Sequence, residues 1–314
     1  VIYGVSAAMI IRIVLLITFC LMSFSTFAKP SIVWFSTLQQ DLSDKSGFWK
    51  SLHNIMAATA QDLDIDFQIY YAQENFVQMH EQVKDALSNE KKRPDGIIFH
   101  NYKKVAPLIL EHAEQYGVKS FIFNSGLTGK QKSYAPRQQY KHWIGQMLPD
   151  DKFAGSELTR CLLVAAKENG NDKRFQLLAM EGNPSSRAYQ SRKNGLEAFM
   201  RSHSKLEFTQ YFPADWSRSK ASRMFLTMIK RYPKVKILWS ANDNMALGLI
   251  DAAKKSDHKL GKDIFVGGVD WLAESIDAIT RGDMACSIGG HFVEGMWSLI
   301  LMYDYLNGFD FAKQ

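Results

Sequence analysis

From Ser31 onward this 314-residue chain alternates short apolar runs with stretches at helical spacing, and that rhythm leaves few folds open. Residues 31–37 (SIVWFST), 66–71, 95–99 and 120–123 read as strands, with helices over 47–62, 76–87 and 105–116 between them. Strands separated by helices of this length pair in parallel through right-handed crossovers. Residues 126–146 break the rhythm with Gly, Pro and polar side chains and are expected to cross to a second lobe. The alternation then restarts with helices over 153–168, 189–202, 220–232, 245–255 and 273–281. The strands between them fall at 175–180, near Phe208, and at 235–239, 264–269 and 285–288. A long apolar helix over 294–306 follows, and the chain stops after Asn307-Gly308 without a closing strand, so the carboxyl end is expected to be truncated. The expected fold class is α/β, with two doubly wound parallel-sheet lobes joined by a hinge. Residues 29–146 plus 290–314 would form the first lobe and 147–289 the second.

Charge narrows the function classes. The formal net charge is +6 and charged residues make up 22% of the chain. No basic stripe interleaved with aromatics stands out, so a nucleic-acid partner is not expected. Before Lys29 the only charge is Arg12, followed by the apolar run 13–22 and then Ser25-Thr26-Phe27-Ala28, with small residues where a signal peptidase cuts. Residues 1–28 therefore read as a signal peptide and the chain is expected to be secreted; an uncleaved anchor is the alternative, although the run falls short of the about 20 residues a span needs. Phe19 before Cys20 argues against lipid attachment.

Beyond that segment two cysteines are left, Cys161 and Cys286. Two thiols in a chain this large do not make a disulfide framework, and their apolar or small neighbours favour buried free thiols. Neither a CxxC pair nor a His-x-x-x-His pair occurs, so no metal is expected. Gly126 to Lys130 misses the phosphate-loop spacing, a Gly-x-Ser-x-Gly elbow is absent, and no Gly-x-Gly-x-x-Gly follows a strand. Asp62, Asp64 and Asp66 alternate as calcium loops do but lack the glycine and the closing glutamate. No catalytic set assembles and no cofactor is expected, so the chain does not read as an enzyme.

What does assemble lies at the carboxyl ends of the predicted strands, where open α/β sheets bind small molecules. His100 follows DGIIF, Asn124 follows SFIF, Asn242 follows ILWS and Asp270 follows IFVGGV. Helix entrances add Phe48, Trp49 and Arg192, and a loop adds Trp216. Planar Asn, Asp and Arg groups suit vicinal hydroxyls, and aromatic rings suit the apolar faces of a pyranose or furanose. Singly, each Asn could be a helix cap and each ring part of the core. For the stretch 237–252, Asn242 is expected to face ligand while Asp243 or Asn244 caps the helix.

The sequence resembles the type 1 periplasmic solute-binding proteins of the ribose and galactose class, from Ser31 to the end. The resemblance rests on Ser46-Gly47-Phe48-Trp49-Lys50-Ser51-Leu52, Asp95-Gly96-Ile97-Ile98-Phe99, Pro213-Ala214-Asp215-Trp216, Ala241-Asn242-Asp243-Asn244-Met245-Ala246-Leu247-Gly248 and Gly267-Gly268-Val269-Asp270. It implies that Phe48 and Trp49 stack on ligand from the first lobe and Trp216 faces them from the second. It implies that Arg192, Asn242 and Asp270 supply the second lobe's hydrogen bonds, and that His100 and Asn124 stand where the first lobe contributes an Asn or Asp. Two departures bear on specificity: Gly290, with His291 beside it, replaces a ligand Gln or Arg, and Asn124-Ser125 replaces the Asp-Arg pair of ribose binders. The sequence is also similar to the autoinducer-2 receptor branch.

The resemblance implies a solute binder that captures a sugar or diol-containing ligand between closing lobes, for an inner-membrane ABC permease. The alternative is a receptor subunit for a membrane sensor kinase. A hydrolase on the same scaffold, or a repressor of the same fold, stands further off, the latter because an export signal occupies the place of a DNA-reading domain.

Overall fold

The computed structural model describes residues 29–38, 47–169, 174–256 and 258–313. The export-signal reading of residues 1–28 and Ser46 of the first motif lie outside them. The described chain forms two five-stranded, all-parallel sheets. The first contains β1 (Ser31–Ser36), β2 (Asp66–Tyr71), β3 (Gly96–Phe99), β4 (Lys119–Phe123) and β5 (Trp143–Met147), ordered β2-β1-β3-β4-β5. The second contains β6 (Phe175–Glu181), β7 (Leu206–Pro213), β8 (Val235–Ser240), β9 (Phe265–Asp270) and β10 (Cys286–Gly289), ordered β10-β9-β8-β6-β7. Read from the edge, both sheets have the same order, so each reverses direction once, between β1 and β3 and between β6 and β8. Such reversals splay the following loops apart and open a crevice at the strand ends.

The central strands read as unbroken apolar runs because both of their faces are covered. In β1, Ile32 and Trp34 point into a layer with α1 (Gly47–Asp62) and α9 (Glu294–Leu306). Val33 and Phe35 point the other way, onto α2 (Phe76–Ser88) and α3 (Ala106–Tyr116). The second sheet is sandwiched by α4 (Asp151–Glu168), α5 (Arg187–Arg201), α6 (Arg218–Arg231), α7 (Asp243–Ala253) and α8 (Ala273–Thr280). The chain leaves the first sheet after β5 and returns through the short turn His291–Val293 to α9, which packs on α1 and β4.

Three expectations are corrected. The stretch 126–146 is not all connection: its end runs into β5, which pairs with β4 in the first sheet. The strand near Phe208 is eight residues long; as an edge strand beside β6 it exposes Glu207 and Phe208, so its sequence lacks a continuous apolar signal. Cys161 and Cys286 are half-buried and form a disulfide that ties α4 to β10 across a separation of 125 residues. Their neighbours in sequence could not reveal that, because the pairing is set by how α4 lies on the sheet.

Among the described residues no helix is long and apolar enough to cross a membrane, and no group of three or more His, Cys, Asp or Glu side chains could hold a metal ion.

Candidate functional site

The second sheet's side of the crevice is built on one buried arginine. Arg192 lies on α5, and α5 meets α4 backbone to backbone: a Cβ at Gly155 would overlap the Arg192 carbonyl, and one at Gly195 would overlap that of Lys152. This close approach brings Arg192 to the first turn of α4, where Asp151 Oδ1 accepts from its Nε at 2.9 Å. Nη1 donates to the Ala241 carbonyl, just past β8, at 2.7 Å and lies 3.7 Å from Oδ1 of Asp270, the last residue of β9. Burial alone would disfavour the charge, but the Asp151 and Asp270 carboxylates outweigh it and raise the guanidinium above its ordinary range.

His291 completes this wall, with Nε2 at 3.3 Å from Arg192 Nη2 and 3.4 Å from Asp270 Oδ1. Trp216 stands at the other flank, its ring 6.0 Å from the Arg192 guanidinium and edge-on to Tyr189 at 6.4 Å. The ring presses on Gly182, at the end of β6, where any Cβ would collide with it. Asp270 (φ 140°) and Trp216 (φ 64°) both occupy backbone conformations that L-residues avoid. Around Asp270 the next residue holds the turn in place: Trp271 N donates to Ser287 Oγ at 3.1 Å and its Nε1 to the Ser287 carbonyl at 2.8 Å. Strain kept in place by its surroundings collects at binding sites.

Asn242 is the N-cap of α7: its Oδ1 accepts from Met245 N at 2.9 Å. The expectation that Asp243 or Asn244 would cap is corrected. Asp243 turns inward instead, accepts from Leu272 N at 3.0 Å, and has Ser287 Oγ at 2.8 Å from both carboxylate oxygens. Burial and the nearby Asp270 charge push Asp243 up to about 7.

The first sheet's side is aromatic. His100, past β3, is buried, with Thr37 Oγ1 at 3.1 Å from its Nε2. Burial lowers its pKa to about 4, so the ring is neutral. Trp49 leans on it at 4.8 Å between centroids, Phe48 meets Trp49 edge-on at 5.2 Å, and Phe48 stacks on His291 at 4.6 Å. That last contact joins the two walls. Asn124, past β4, holds a left-handed backbone (φ 59°) and is half exposed. Its backbone approaches Glu294, at the start of α9, which lies in electrostatic reach of Asp151 and Arg192. Glu294 is 6% exposed, and burial followed by the Asp151 charge raises it to about 9.

The structure thus brings Phe48, Trp49, His100 and His291 into ring contact, and places Arg192, Trp216, Asn242 and Asp270 on the facing wall. Asn124 joins only through Glu294. Sequence reasoning missed Asp151, Gly182, Asp243 and Glu294. A glycine just past β6 and an acid opening α4 were the available signals, but neither is distinctive alone. Two surface concavities, of about 510 and 520 Å3, lie around Arg218 and Asp251 and around Lys132 and Arg187; neither is lined by any of the nine residues, although Asp151 borders the second.

Comparison with known proteins agrees with this architecture. A solved periplasmic sugar-binding protein from Pseudomonas fluorescens superposes with a TM-score of 0.79 at 32% identity, covering 89% of this chain and 81% of that one. The galactofuranose-binding protein YtfQ of Escherichia coli is 22% identical over 277 residues, 85% of this chain and 79% of its own. The D-allose-binding periplasmic protein of Escherichia coli is 28% identical over 130 residues, only 41% of either chain. The family described as periplasmic binding protein domain matches residues 42–309, and the chain belongs to that family.

Proposed function

We propose that this protein binds a neutral sugar in the periplasm, between its two lobes, and delivers it to an ABC importer. The observation that carries the reading is the Arg192 wall facing the Phe48–Trp49 pair. The guanidinium's charge is already matched by Asp151 and Asp270, so what it offers a ligand is fixed hydrogen-bond direction rather than net charge. Vicinal hydroxyls use such direction, and the apolar face of a sugar ring fits against Phe48, Trp49 or Trp216. A phosphorylated sugar would find no uncompensated cation there.

Because Phe48 touches His291 and both are buried or nearly so, a ligand enters only when the walls part. Capture is then a shift between open and closed arrangements, driven by contacts that exist only when both walls hold the ligand. The relatives named above are sugar-binding proteins, which supports a sugar ligand. It also supports binding without turnover.

The test is a thermal-shift screen over pentoses, hexoses in both ring forms, their phosphates and nucleosides, followed by calorimetry. A ligand held only by the folded state raises the melting temperature. The expected result is a shift with one or a few neutral sugars, no shift with their phosphates, and ligand recovered intact. Chemical conversion of the sugar, or preferential binding of a phosphate, would overturn the reading.

A further inference from the structure

Beside the groups that would touch a sugar, the two lobes meet at an apolar point. Leu272, between β9 and α8 of the second lobe, lies against Gly47, the first residue of α1 in the first lobe. A Cβ on Gly47 would stand 3.2 Å from Leu272 Cδ2, tighter than carbon atoms normally pack. Gly47 is not among the glycines with positive φ, so its backbone would accept other residues. What asks for glycine there is the leucine from the opposite lobe.

Leu272 is presented by a braced turn. Its N–H donates to Asp243 Oδ2 at 3.0 Å, and Trp271 before it is pinned to Ser287 through backbone and ring. Two residues earlier the same turn carries Asp270. On the other lobe Gly47 is followed at once by Phe48, which stacks on His291. Each side of the contact therefore lies one or two residues from a group assigned to the sugar, and the contact forms when those groups come together. With the walls touching, Leu272 is 7% exposed. Parting the lobes uncovers its side chain, and returning apolar surface to water costs free energy in proportion to its area.

We propose that Leu272 is a positioning residue of the sugar site: seated on Gly47, it latches the lobes closed over a sugar it does not touch. It sets how tightly every sugar is held and does not choose among them. The latch rests on the reading of this protein as a sugar binder with closing lobes. A contact present only in the closed form lowers the apparent dissociation constant by the factor by which it favours closure. Because it forms after the sugar has entered, it slows release and leaves the rate of entry alone.

The experiment compares the unsubstituted chain with Leu272→Ala, Gly47→Leu and the double variant Gly47→Leu/Leu272→Ala. Affinity and release rate are measured with the neutral pentoses and hexoses of the screen above, and melting temperature is measured without sugar. Leu272→Ala should weaken every sugar that binds by a common factor of about tenfold, the worth of roughly two buried methylene groups, with the change in the release rate. Gly47→Leu should weaken binding in the same way by holding the lobes apart. The double variant, which exchanges large and small side chains across the contact, should recover most of that loss. The melting temperature of sugar-free Leu272→Ala should match that of the unsubstituted chain, because the open form already exposes this side chain. A leucine that served only the second lobe's core would lower it.

Unchanged affinity in Leu272→Ala, losses that differ from sugar to sugar, a double variant no better than Gly47→Leu, or a sugar-free melting temperature that falls with affinity would each overturn the latch and leave the sugar-binding reading standing. An unsubstituted chain that binds none of these sugars would overturn both.

Discussion

The two walls of the candidate cleft are made of different chemistry. On the second lobe's side a buried guanidinium is held by Asp151, Asp270 and the Ala241 carbonyl, over a carboxylate, Asp243, that braces the β9 and β10 turns from beneath. On the first lobe's side the groups are rings in contact, with Thr37 on His100 as the side-chain hydrogen bond among them. An ionic wall fixes direction before a ligand arrives, because moving any member leaves a buried charge unpaired. A ring wall adapts: stacking tolerates small slides and rotations. The expected division of labour is that the second lobe selects hydroxyl geometry and the first supplies adaptable contact area.

Arg192→Ala should have the largest effect. It strands Asp151 and Asp270, which are 2% and 5% exposed, and breaking a buried pair from one side costs about 3–5 kcal/mol. Denaturant unfolding should show that loss together with loss of sugar binding. A cost near zero would mean the wall is not pre-organised. Next comes the Cys161–Cys286 bond, which anchors α4, the helix carrying Asp151, to β10. Reduction should lower stability by about 2–4 kcal/mol with no comparable change in sugar affinity, measured as melting temperature and calorimetry with and without reductant. If affinity collapses alongside, the ionic wall depends on the bond for its geometry.

Trp216→Ala should leave the fold largely intact and weaken sugar binding by about 1–3 kcal/mol. Unchanged calorimetry would remove Trp216 from the site and leave ring contact to the first lobe alone.

The most gradual effect, a slope rather than a step, separates the walls by pH. The pKa of Glu294 is about 9 in the folded chain, against an ordinary 4.5, so the stability its neutral form supports is complete at low pH and is lost as pH rises through 9. Asp243 behaves likewise but is exhausted near pH 7. His100 has the opposite sign: its stabilisation is present above 6.5 and lost as pH falls through about 4. Between pH 7 and 9 only Glu294 of these three still titrates, with a slope of up to about 1.4 kcal/mol per pH unit. Glu294→Gln should flatten that limb of the stability curve, and an unchanged slope would place the titrating group elsewhere.

Much of the fold is legible in the chain. The helices 47–62 and 294–306 and the strand 66–71 coincide with the observed elements, and the other central elements agree to within about two residues. Strands buried on both faces carry the strongest signal, while β7, half-solvated at an edge, and β5, emerging from a polar loop, carry little. Candidate site residues could be named as a class because strand ends follow from the strands. The partners of those residues were not, since Asp151 meets Arg192 across 41 positions and Asp243 meets Ser287 across 44.

By itself the sequence determined the alternation, hence the parallel sheets, and hence that His100, Asn124, Asn242 and Asp270 stand at strand ends. Periodicity and chirality are local properties, and they propagate to topology without knowledge of distant contacts. Only the tertiary structure decided that Asn242 caps α7 while Asp243 turns inward, that the cysteines pair, and that Arg192 is held by Asp151. Each of these depends on which side chains converge once helices have packed. One polar group can then take any of several partners, and the partner it takes is set by where packing places it, not by its neighbours in the chain.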